Sequence, residues 1–253
     1  MKIIGLTRVR NEAAIIKDTL DYYAPYCNLG ILVFDDASED ETVKICSDHP
    51  AVNEVFENKE WKPNRTEEEY KNRQTLLEMA QKYNADWIIY FDADERIDFS
   101  FWDQMYWAPY DAIMMKLFDF YITESDVDKD YKHREFCGSE YREIVMMFKN
   151  NPALKYHIPD QRVVTLAPNA KILKAGYVKH YGKAISIAEW EETCKYYYDN
   201  FPEPYKTKWK NRMGKAVHKD VSDFGLPLIR WSEKETKGVL LTPLIEKQYA
   251  EKN

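Results

Sequence analysis

Two short acidic clusters, Asp35-Asp36 and Asp92-Ala93-Asp94, each end a run of apolar residues. In the second cluster, two carboxylates stand one residue apart after Trp87-Ile88-Ile89-Tyr90-Phe91. Carboxylate oxygens in this arrangement suit a hard cation such as Mg²⁺ or Mn²⁺, which shares its remaining coordination positions with phosphate oxygens. The pattern therefore predicts a metal site able to neutralise the negative charge of a diphosphate group.

The elements around these clusters alternate between strand and helix patterns in the first half of the chain. Apolar runs predict strands at residues 3–7, 31–34, 52–56 and 87–91. Helices are predicted from about Asn11, from a capping box of Ser38 with Glu41, and over about residues 66–83. Repeated β-α units with apolar strands indicate an α/β fold with a mostly parallel sheet and helices on both faces. Ligands bind beyond the carboxyl ends of such strands, which is the edge where both acidic clusters fall.

The second half of the chain is less regular. Strands are predicted at residues 112–118, 144–148 and 171–180, and Ser186 with Glu189 predicts the start of a helix that runs to about Asn200. The remainder contains several prolines and is expected to form a helical and irregular extension, residues 201–253, packed on the preceding domain. Residues 206–219 hold six Lys or Arg and no acid, which fits either a solvated helix face or a cover that meets anionic ligands or a membrane surface.

The amino-acid composition and net charge limit the kinds of molecule that the protein is expected to bind. A net charge of −7 argues against nucleic acid, which requires a broad basic surface. Aromatic residues make up 15% of the chain, and their rings can stack on nucleobases and sugars.

The Cys residues at 27, 46, 137 and 194 form no CxxC pair, so they are expected to be reduced thiols in a cytoplasmic protein. No apolar run approaches the roughly 20 residues that cross a bilayer, and peripheral membrane contact is left open.

Over about residues 1–182 the chain resembles the family 2 glycosyltransferases, which share the GT-A fold. The matching stretches are Thr7-Arg8-Val9-Arg10-Asn11-Glu12, Phe34-Asp35-Asp36-Ala37-Ser38-Glu39-Asp40-Glu41-Thr42, Asn72-Arg73 and Tyr90-Phe91-Asp92-Ala93-Asp94. The resemblance implies an enzyme that transfers a sugar from a UDP-, GDP- or dTDP-sugar to a glycan or other hydroxyl acceptor, with Mn²⁺ or Mg²⁺. It also implies a catalytic domain at residues 1–200, with a donor-binding half at about 1–97 and an acceptor half at about 98–200.

The resemblance also implies roles for single residues. Either Asp35 or Asp36 is expected to accept a hydrogen bond from the nucleobase, with Arg73 beside the base or the diphosphate. Asp94, together with Asp92, is expected to hold the metal, and His180 resembles a further metal ligand. The remaining residues expected to contact the donor are Thr7, Arg8, Asn11 and Ala93.

The catalytic base is less clearly marked. The family often shows a Glu-Asp or His-Glu pair for this role, and neither is obvious in this chain. Asp160 occupies a comparable place and is the first candidate for the base of a single displacement, which inverts the anomeric centre. Glu140 is the alternative, and Glu143 is a further competitor.

Two other functions fit the same acidic residues. A sugar-phosphate nucleotidyltransferase also binds a metal and a nucleotide, but it needs a Gly-rich first loop, and residues 8–12 contain no Gly. A non-catalytic protein that binds nucleotide sugars would keep the binding residues without turnover. A phosphatase of the haloacid dehalogenase type is disfavoured, because its Asp-x-Asp lies near the N-terminus rather than after three β-α units.

Overall fold

A computed structural model describes residues 1–62, 65–156, 162 and 164–242 of the chain. The strands are β1 Ile3–Val9, β2 Ile31–Asp36, β3 Val52–Asn58, β4 Trp87–Tyr90, β5 Glu95–Asp98, β6 Ala112–Phe120, β7 Ile122–Thr123, β8 Phe136–Lys149, β9 Ile172–His180, β10 Val217–His218, β11 Leu228–Arg230 and β12 Val239–Leu240. The helices are α1 Ile16–Tyr23, α2 Thr42–Ser47, α3 Arg65–Lys82, α4 Gln104–Trp107, α5 Ile187–Asn200, α6 Tyr205–Lys210 and α7 Lys234–Lys237.

These elements divide between two units. Unit 1 comprises Met1–Met115 and Ile144–Gly176, and unit 2 comprises Lys116–Glu143 and Tyr177–Asn253. Strands β6, β8 and β9 therefore each contribute residues to both units. The predicted division at residue 200 concerns a domain boundary and stays a prediction.

Unit 1 is built on a sheet with the strand order β3-β2-β1-β4-β8-β6-β9-β5. The pairs β2–β3, β1–β2 and β1–β4 are parallel, whereas β8 runs antiparallel to β4. The predicted α/β class and the parallel sheet of the first β-α units are confirmed. Beyond β4 the sheet is partly antiparallel, because β8 runs in the opposite direction to β4.

Both faces of the parallel strands are covered by helices. On one face, Leu6, Phe34 and Ile88 pack in a core with Leu76 and Leu77 of α3. Helix α1 buries Ile16, Leu20 and Tyr23, and the Tyr23 ring stacks on Phe91 at 3.7 Å between centroids. Apolar side chains point to both faces of these strands, which explains why the strands read as continuous apolar runs.

Two predicted helix starts differ from the structure. Helix α1 begins at Ile16 rather than about Asn11, because Asn11 adopts a left-handed backbone with φ of 53° that a helix cannot contain. The capping box of Ser38 with Glu41 is wrong, since α2 begins at Thr42 without a side-chain cap and the Ser38 hydroxyl donates to Asp35 instead. The predicted cap at Ser186 is confirmed, because its Oγ accepts from the Glu189 backbone N–H at 3.1 Å.

Unit 2 combines short strands with α5, α6 and α7. Strand β11 pairs antiparallel and β12 parallel with β8, and β10 pairs parallel with β7. Helices α5 and α6 pack through Trp190, Cys194 and Trp209, and Tyr197 stacks on Trp209 at 4.5 Å. Among the described helices, none has the length and apolar character needed to cross a membrane.

Candidate functional site

The turns that follow β1 and β2 are joined by hydrogen bonds. The Asn11 backbone N–H donates to Ser38 Oγ at 2.9 Å, and Asn11 Oδ1 accepts from the Glu39 N–H at 2.8 Å. Asn11 and Ala37 both have left-handed backbones, with φ of 53° and 59°. Such conformations are uncommon for residues other than glycine, and they concentrate at ligand sites, where the surrounding contacts maintain them.

Asp35, at the end of β2, lines a pocket of about 310 Å³. Its carboxylate accepts hydrogen bonds from the Ser38 N–H, at 3.0 Å, and from the Ser38 hydroxyl. Burial raises the pKa of Asp35 above its ordinary value, although the Ser38 bonds oppose this effect. The other lining residues are Ala37, Ser38, Glu39, Val43, Glu57, Asn58, Lys59 and Trp61. Asp35 is thus the acid of the first cluster that faces an open space.

Asp36, by contrast, is buried among cations. It pairs with Arg8 at 3.2 Å and with Arg65, and its Oδ1 accepts from Asn58 Nδ2 at 3.2 Å. Burial alone would raise the pKa of Asp36, but Arg65 and Arg8 hold it below its ordinary value. Asp36 therefore ties β1 and β2 to the start of α3.

The turn after β4 presents Asp92 and Asp94, both half-buried. Between them, Ala93 is buried, and its carbonyl accepts from the Thr19 hydroxyl and from Arg96 Nη1. The Asp92 N–H donates to Glu95 Oε2 at 3.0 Å. These bonds fix the backbone of the turn in which the strand passes into a loop.

Arg162 lies against this turn. Its Nε donates to Asp92 Oδ2 at 2.8 Å, and its Nη2 pairs with Glu95. Burial of Asp92 would raise its pKa, but Arg162, Arg73 and Arg8 together lower it to about 2. Asp92 is therefore ionised at neutral pH and surrounded by positive charge.

Several buried polar atoms at this edge of the sheet lack a hydrogen-bond partner among the described residues. Arg8 and Arg73 each approach Glu69, at 3.4 Å and 3.5 Å, but their Nε atoms remain without an acceptor. The other such atoms are Thr7 Oγ1, Asn72 Nδ2 and the Tyr90 hydroxyl. Because buried polar groups in proteins are nearly always hydrogen-bonded, this cluster of donors is suited to a ligand rich in acceptor oxygens.

The donor set at Asp92 and Asp94 fits a divalent cation of the hard type. The described residues contain no group of three or more His, Cys, Asp or Glu side chains around a common metal position. Two carboxylates nevertheless suit Mg²⁺ or Mn²⁺, because such ions commonly take their other ligands from phosphate oxygens and water.

His180 belongs to unit 2, where its Nδ1 lies 2.6 Å from Asp119 Oδ1. Asp119 is buried and also contacts Arg142 at 2.5 Å and Lys183 at 2.9 Å. Burial would raise the pKa of Asp119, but Arg142, Lys183 and His180 keep it well below its ordinary value. A carboxylate on one ring nitrogen is the arrangement commonly found behind a metal-binding histidine.

Glu140, the alternative base, is also in unit 2 and is buried within β8. Neither of its carboxyl oxygens has a hydrogen-bond partner among the described residues. Burial raises the pKa of Glu140 to about 7, against the opposing effect of Lys183. The first candidate for the base, Asp160, lies outside the described residues.

Three residues of the unit 1 site were not predicted from the sequence: Arg65, Arg162 and Trp61. The guanidinium groups of Arg10 and Arg65 each lie 5.2 Å from the centre of the Trp61 ring, whose buried Nε1 has no partner among the described residues. A single Arg or Trp in a polar stretch carries no local pattern. The one sequence feature that points to Trp61 and Arg65 as site residues is their position at or just before the start of α3.

Comparison with known proteins identifies the family. The sequence model described as Glycosyl transferase family 2 matches residues 7–173. An uncharacterized protein of Mycobacterium tuberculosis is 33% identical over 96 residues, which are 37% of this chain and 23% of that protein's length. An uncharacterized protein of Mycobacterium bovis matches with the same values.

Two solved structures that are similar to the chain share little sequence identity with it. S. aureus TarS is 14% identical, with a TM-score of 0.41, over 83% of this chain and 42% of that one. Glucosyl-3-phosphoglycerate synthase from Mycobacterium tuberculosis, in complex with Mn²⁺, uridine diphosphate and glucosyl-3-phosphoglycerate, is 17% identical, with a TM-score of 0.33. That match covers 47% of this chain and 44% of the synthase. Since the family model spans well over half of the chain, the protein belongs to glycosyl transferase family 2.

Proposed function

We propose that this protein transfers a sugar from a nucleoside diphosphate sugar to an acceptor hydroxyl, with Mn²⁺ or Mg²⁺. The observation that carries the proposal is the group of unpartnered buried donors on Thr7, Arg8, Arg73 and Tyr90, together with the acidic turn after β4. A diphosphate supplies the acceptor oxygens that these donors lack, and its charge requires a cation. Family membership supports the same reaction class.

The nucleobase is proposed to enter the pocket lined by Asp35 and Trp61. Asp35 can accept from a base N–H, and the indole of Trp61 offers an aromatic face and an unpartnered N–H. Ala37 and Ser38 line this space, and the Ser38 hydroxyl accepts from the Asn11 N–H. The structure thus favours Asp35 over Asp36 for the base contact, because Asp36 is already paired with Arg8 and Arg65.

The metal is proposed to be held by Asp94 and Asp92, and the expected role of His180 as a further ligand stays a prediction. When bound, the cation would supply the positive charge that stabilises a departing nucleoside diphosphate. Arg8 and Arg73 are proposed to bind diphosphate oxygens through the nitrogen atoms that have no acceptor in the described structure. Arg162 holds the Asp92 carboxylate in place beside them.

Transfer is proposed to invert the anomeric centre, with Asp160 as the base that takes the proton of the acceptor hydroxyl. Glu140 is the alternative, supported by a pKa of about 7, close to the value at which a general base works best at neutral pH. Asp160→Asn and Glu140→Gln decide between them, because each keeps the side-chain shape and removes the basic oxygen. We expect Asp160→Asn to bind donor normally and to lose turnover by about 100-fold or more.

The central test measures donor binding by calorimetry with and without Mn²⁺ in wild type and in Asp94→Asn. We expect Mn²⁺ to strengthen binding of one nucleoside diphosphate in wild type, and the variant to lose that enhancement and transfer activity while remaining folded. Asp128→Asn, an exposed acid, is the matched control. Full activity of Asp94→Asn in the presence of chelator would disprove the metal role.

Two other outcomes would support the rival functions. Binding of donors without turnover on any acceptor would indicate a non-catalytic binding protein. Release of pyrophosphate from a nucleoside triphosphate would indicate a nucleotidyltransferase.

A further inference from the structure

The sheet strands of unit 2 carry a group of half-buried aromatic rings. Strand β6 lies between β8 and β9, and its buried Phe118 has ring centroids 5.3 Å from Tyr141 of β8 and 6.4 Å from Tyr177 of β9. Trp231, in the turn between β11 and α7, meets the same Phe118 edge-on at 5.9 Å. Tyr141, Tyr177 and Trp231 each keep part of their surface exposed, and these three rings form the aromatic surface of unit 2.

Two lysines from different elements lie close to Trp231. Lys234 Nζ, on α7, is 4.6 Å from the centre of the Trp231 ring and 4.7 Å from that of Tyr177. Lys179 Nζ, on β9, is 5.2 Å from the Trp231 ring. Because the face of an aromatic ring is negative, these contacts attract the ammonium groups and hold them at the aromatic surface.

A further lysine, Lys116 of β6, lies in the same way 4.8 Å from the centre of the Tyr141 ring. Neither Lys116 nor Lys234 forms an ion pair with a carboxylate in the part of the chain that the structure describes, and Glu233, next to Lys234, pairs with Lys237 instead. Acids are not scarce, since the chain has 43 Asp and Glu against 36 Lys and Arg. Lys116 and Lys234 therefore keep N–H donors and positive charge that an anionic ligand can use.

Aromatic rings beside such lysines suit a ligand with two chemical features. The C–H groups on the face of a sugar ring can pack on aromatic side chains. A phosphate or carboxylate group accepts charge-assisted hydrogen bonds from an ammonium group. A neutral sugar would use only the rings, and an inorganic anion would use only the lysines, so a carbohydrate that carries an anionic group uses both.

We propose that Lys116, Lys234 and the aromatic surface of unit 2 bind a carbohydrate that carries a phosphate or carboxylate group, and that this carbohydrate is the acceptor of the transfer. The acceptor part of this inference rests on the proposed function. The binding part does not, because it follows from contacts within unit 2 alone. The two lysines then select an anionic acceptor over a neutral one.

The first experiment measures carbohydrate binding in the absence of nucleotide and metal. In protein labelled with 5-fluorotryptophan, Trp231→Phe identifies the ¹⁹F signal of Trp231. We expect glucose 6-phosphate, mannose 6-phosphate or glucuronic acid to shift this signal on titration, and the matching methyl glucoside or methyl mannoside to bind at least about 10-fold more weakly. No shift with any of the three anionic sugars, or equal affinity for the neutral ones, would overturn the proposal. The phosphate and carboxylate probes show which anion the lysines prefer.

The second experiment removes the charges one at a time. Lys116→Gln and Lys234→Gln should each weaken binding of the preferred anionic sugar by about 10-fold or more, because each loses a charge-assisted hydrogen bond. Lys237→Gln is the matched control, since it removes the same charge from α7 at a lysine that is already paired with Glu233. Losses in Lys116→Gln and Lys234→Gln no larger than in this control would overturn the proposal.

Transfer assays then decide whether the bound carbohydrate is the acceptor. We expect Lys234→Gln to raise the KM for an anionic acceptor by about 10-fold and to leave the KM for the donor unchanged. An unchanged KM for the acceptor would overturn the acceptor role. If no donor supported transfer to any acceptor, the proposed function would fail, and with it the acceptor part of the inference, whereas the shift of the Trp231 signal would still decide whether the site binds anionic carbohydrates.

Discussion

At the scale of single residues, Asp35 and Asp36 show how differently two neighbours in sequence can be used. Asp35 lines the pocket, whereas Asp36 is fully buried between Arg8 and Arg65. Removing one partner of a buried ion pair leaves an uncompensated charge, which costs about 3–5 kcal/mol. Asp36 is therefore expected to contribute mainly to folding.

We predict that Asp36→Ala lowers the free energy of unfolding by about 3–5 kcal/mol, because Arg65 is left buried without its carboxylate. Denaturant unfolding followed by circular dichroism measures the change. Glu39→Ala is the control, since Glu39 is 82% exposed and lies 3.8 Å from Arg10, a surface pair expected to contribute at most about 1 kcal/mol. Equal losses in the two variants would show that Asp36 has no special structural role.

A second residue-scale prediction concerns Glu140, whose pKa rises from 4.5 to about 7 because burial disfavours its charged form. The native state therefore holds this proton more tightly than the unfolded chain does. The resulting loss of stability is absent below about pH 4.5, develops as the pH rises, and is complete above about pH 7. Its size is about 3 kcal/mol, from about 1.4 kcal/mol per pKa unit.

We expect Glu140→Gln to gain stability relative to wild type by up to about 3 kcal/mol between pH 4.5 and pH 8, since the variant cannot ionise at this position. Urea unfolding at a series of pH values gives the difference. Glu124→Gln, at an exposed site, should keep a constant difference from wild type. A constant difference for Glu140→Gln as well would mean that the carboxyl is ionised normally in the native state.

At the scale of elements, the basic run at residues 206–219 separates into buried and exposed cations. Arg212 is buried and pairs with Asp223, whereas Lys210 and Lys215 are exposed. The run is thus partly structural, and only its exposed lysines can face an anionic ligand or a membrane surface. Peripheral contact with a membrane stays a prediction.

We predict that Arg212→Gln destabilises the protein by about 3 kcal/mol or more, because Asp223 loses one of its buried cations. The double variant Lys210→Gln with Lys215→Gln should change the free energy of unfolding by no more than about 0.5 kcal/mol, as is usual for exposed positions. Thermal and denaturant unfolding measure both. Weakened binding of the lysine variant to anionic vesicles would support a membrane-facing role, and unchanged vesicle binding would leave these lysines as a solvated face.

At the scale of the whole molecule, binding of the donor should be visible as added stability. A ligand that binds only the native state at 100 times its dissociation constant stabilises the protein by about 2.7 kcal/mol. We predict that one of UDP, GDP, dTDP and CDP raises the melting temperature more than the others and that Mn²⁺ increases this shift. Equal, metal-independent shifts for all four would contradict a selective diphosphate site, and Arg73→Ala should reduce the shift of the preferred nucleotide.

The sequence by itself determined the parallel β-α units and the strand ends at which Asp35 and Asp92 lie. Continuous apolar strands and local turn residues act over short distances, so their pattern is readable along the chain. The same reasoning failed at Ser38 and at the start of α1, because a contact between two turns decides both positions. Ser38 donates to Asp35 in its own turn and accepts from the Asn11 N–H in the turn after β1.

Only the tertiary structure decided which charges meet. Arg162 reaches Asp92 across 70 positions of sequence, and His180 reaches Asp119 across 61. Ion pairs of this kind carry no periodicity, because each side chain satisfies local structure equally well with a different partner. The sequence therefore marked the acidic edge of the sheet. The separation of Asp35 from Asp36 into pocket and core, and the anchoring of His180 through Asp119 and Lys183, depend on the burial and proximity that folding creates.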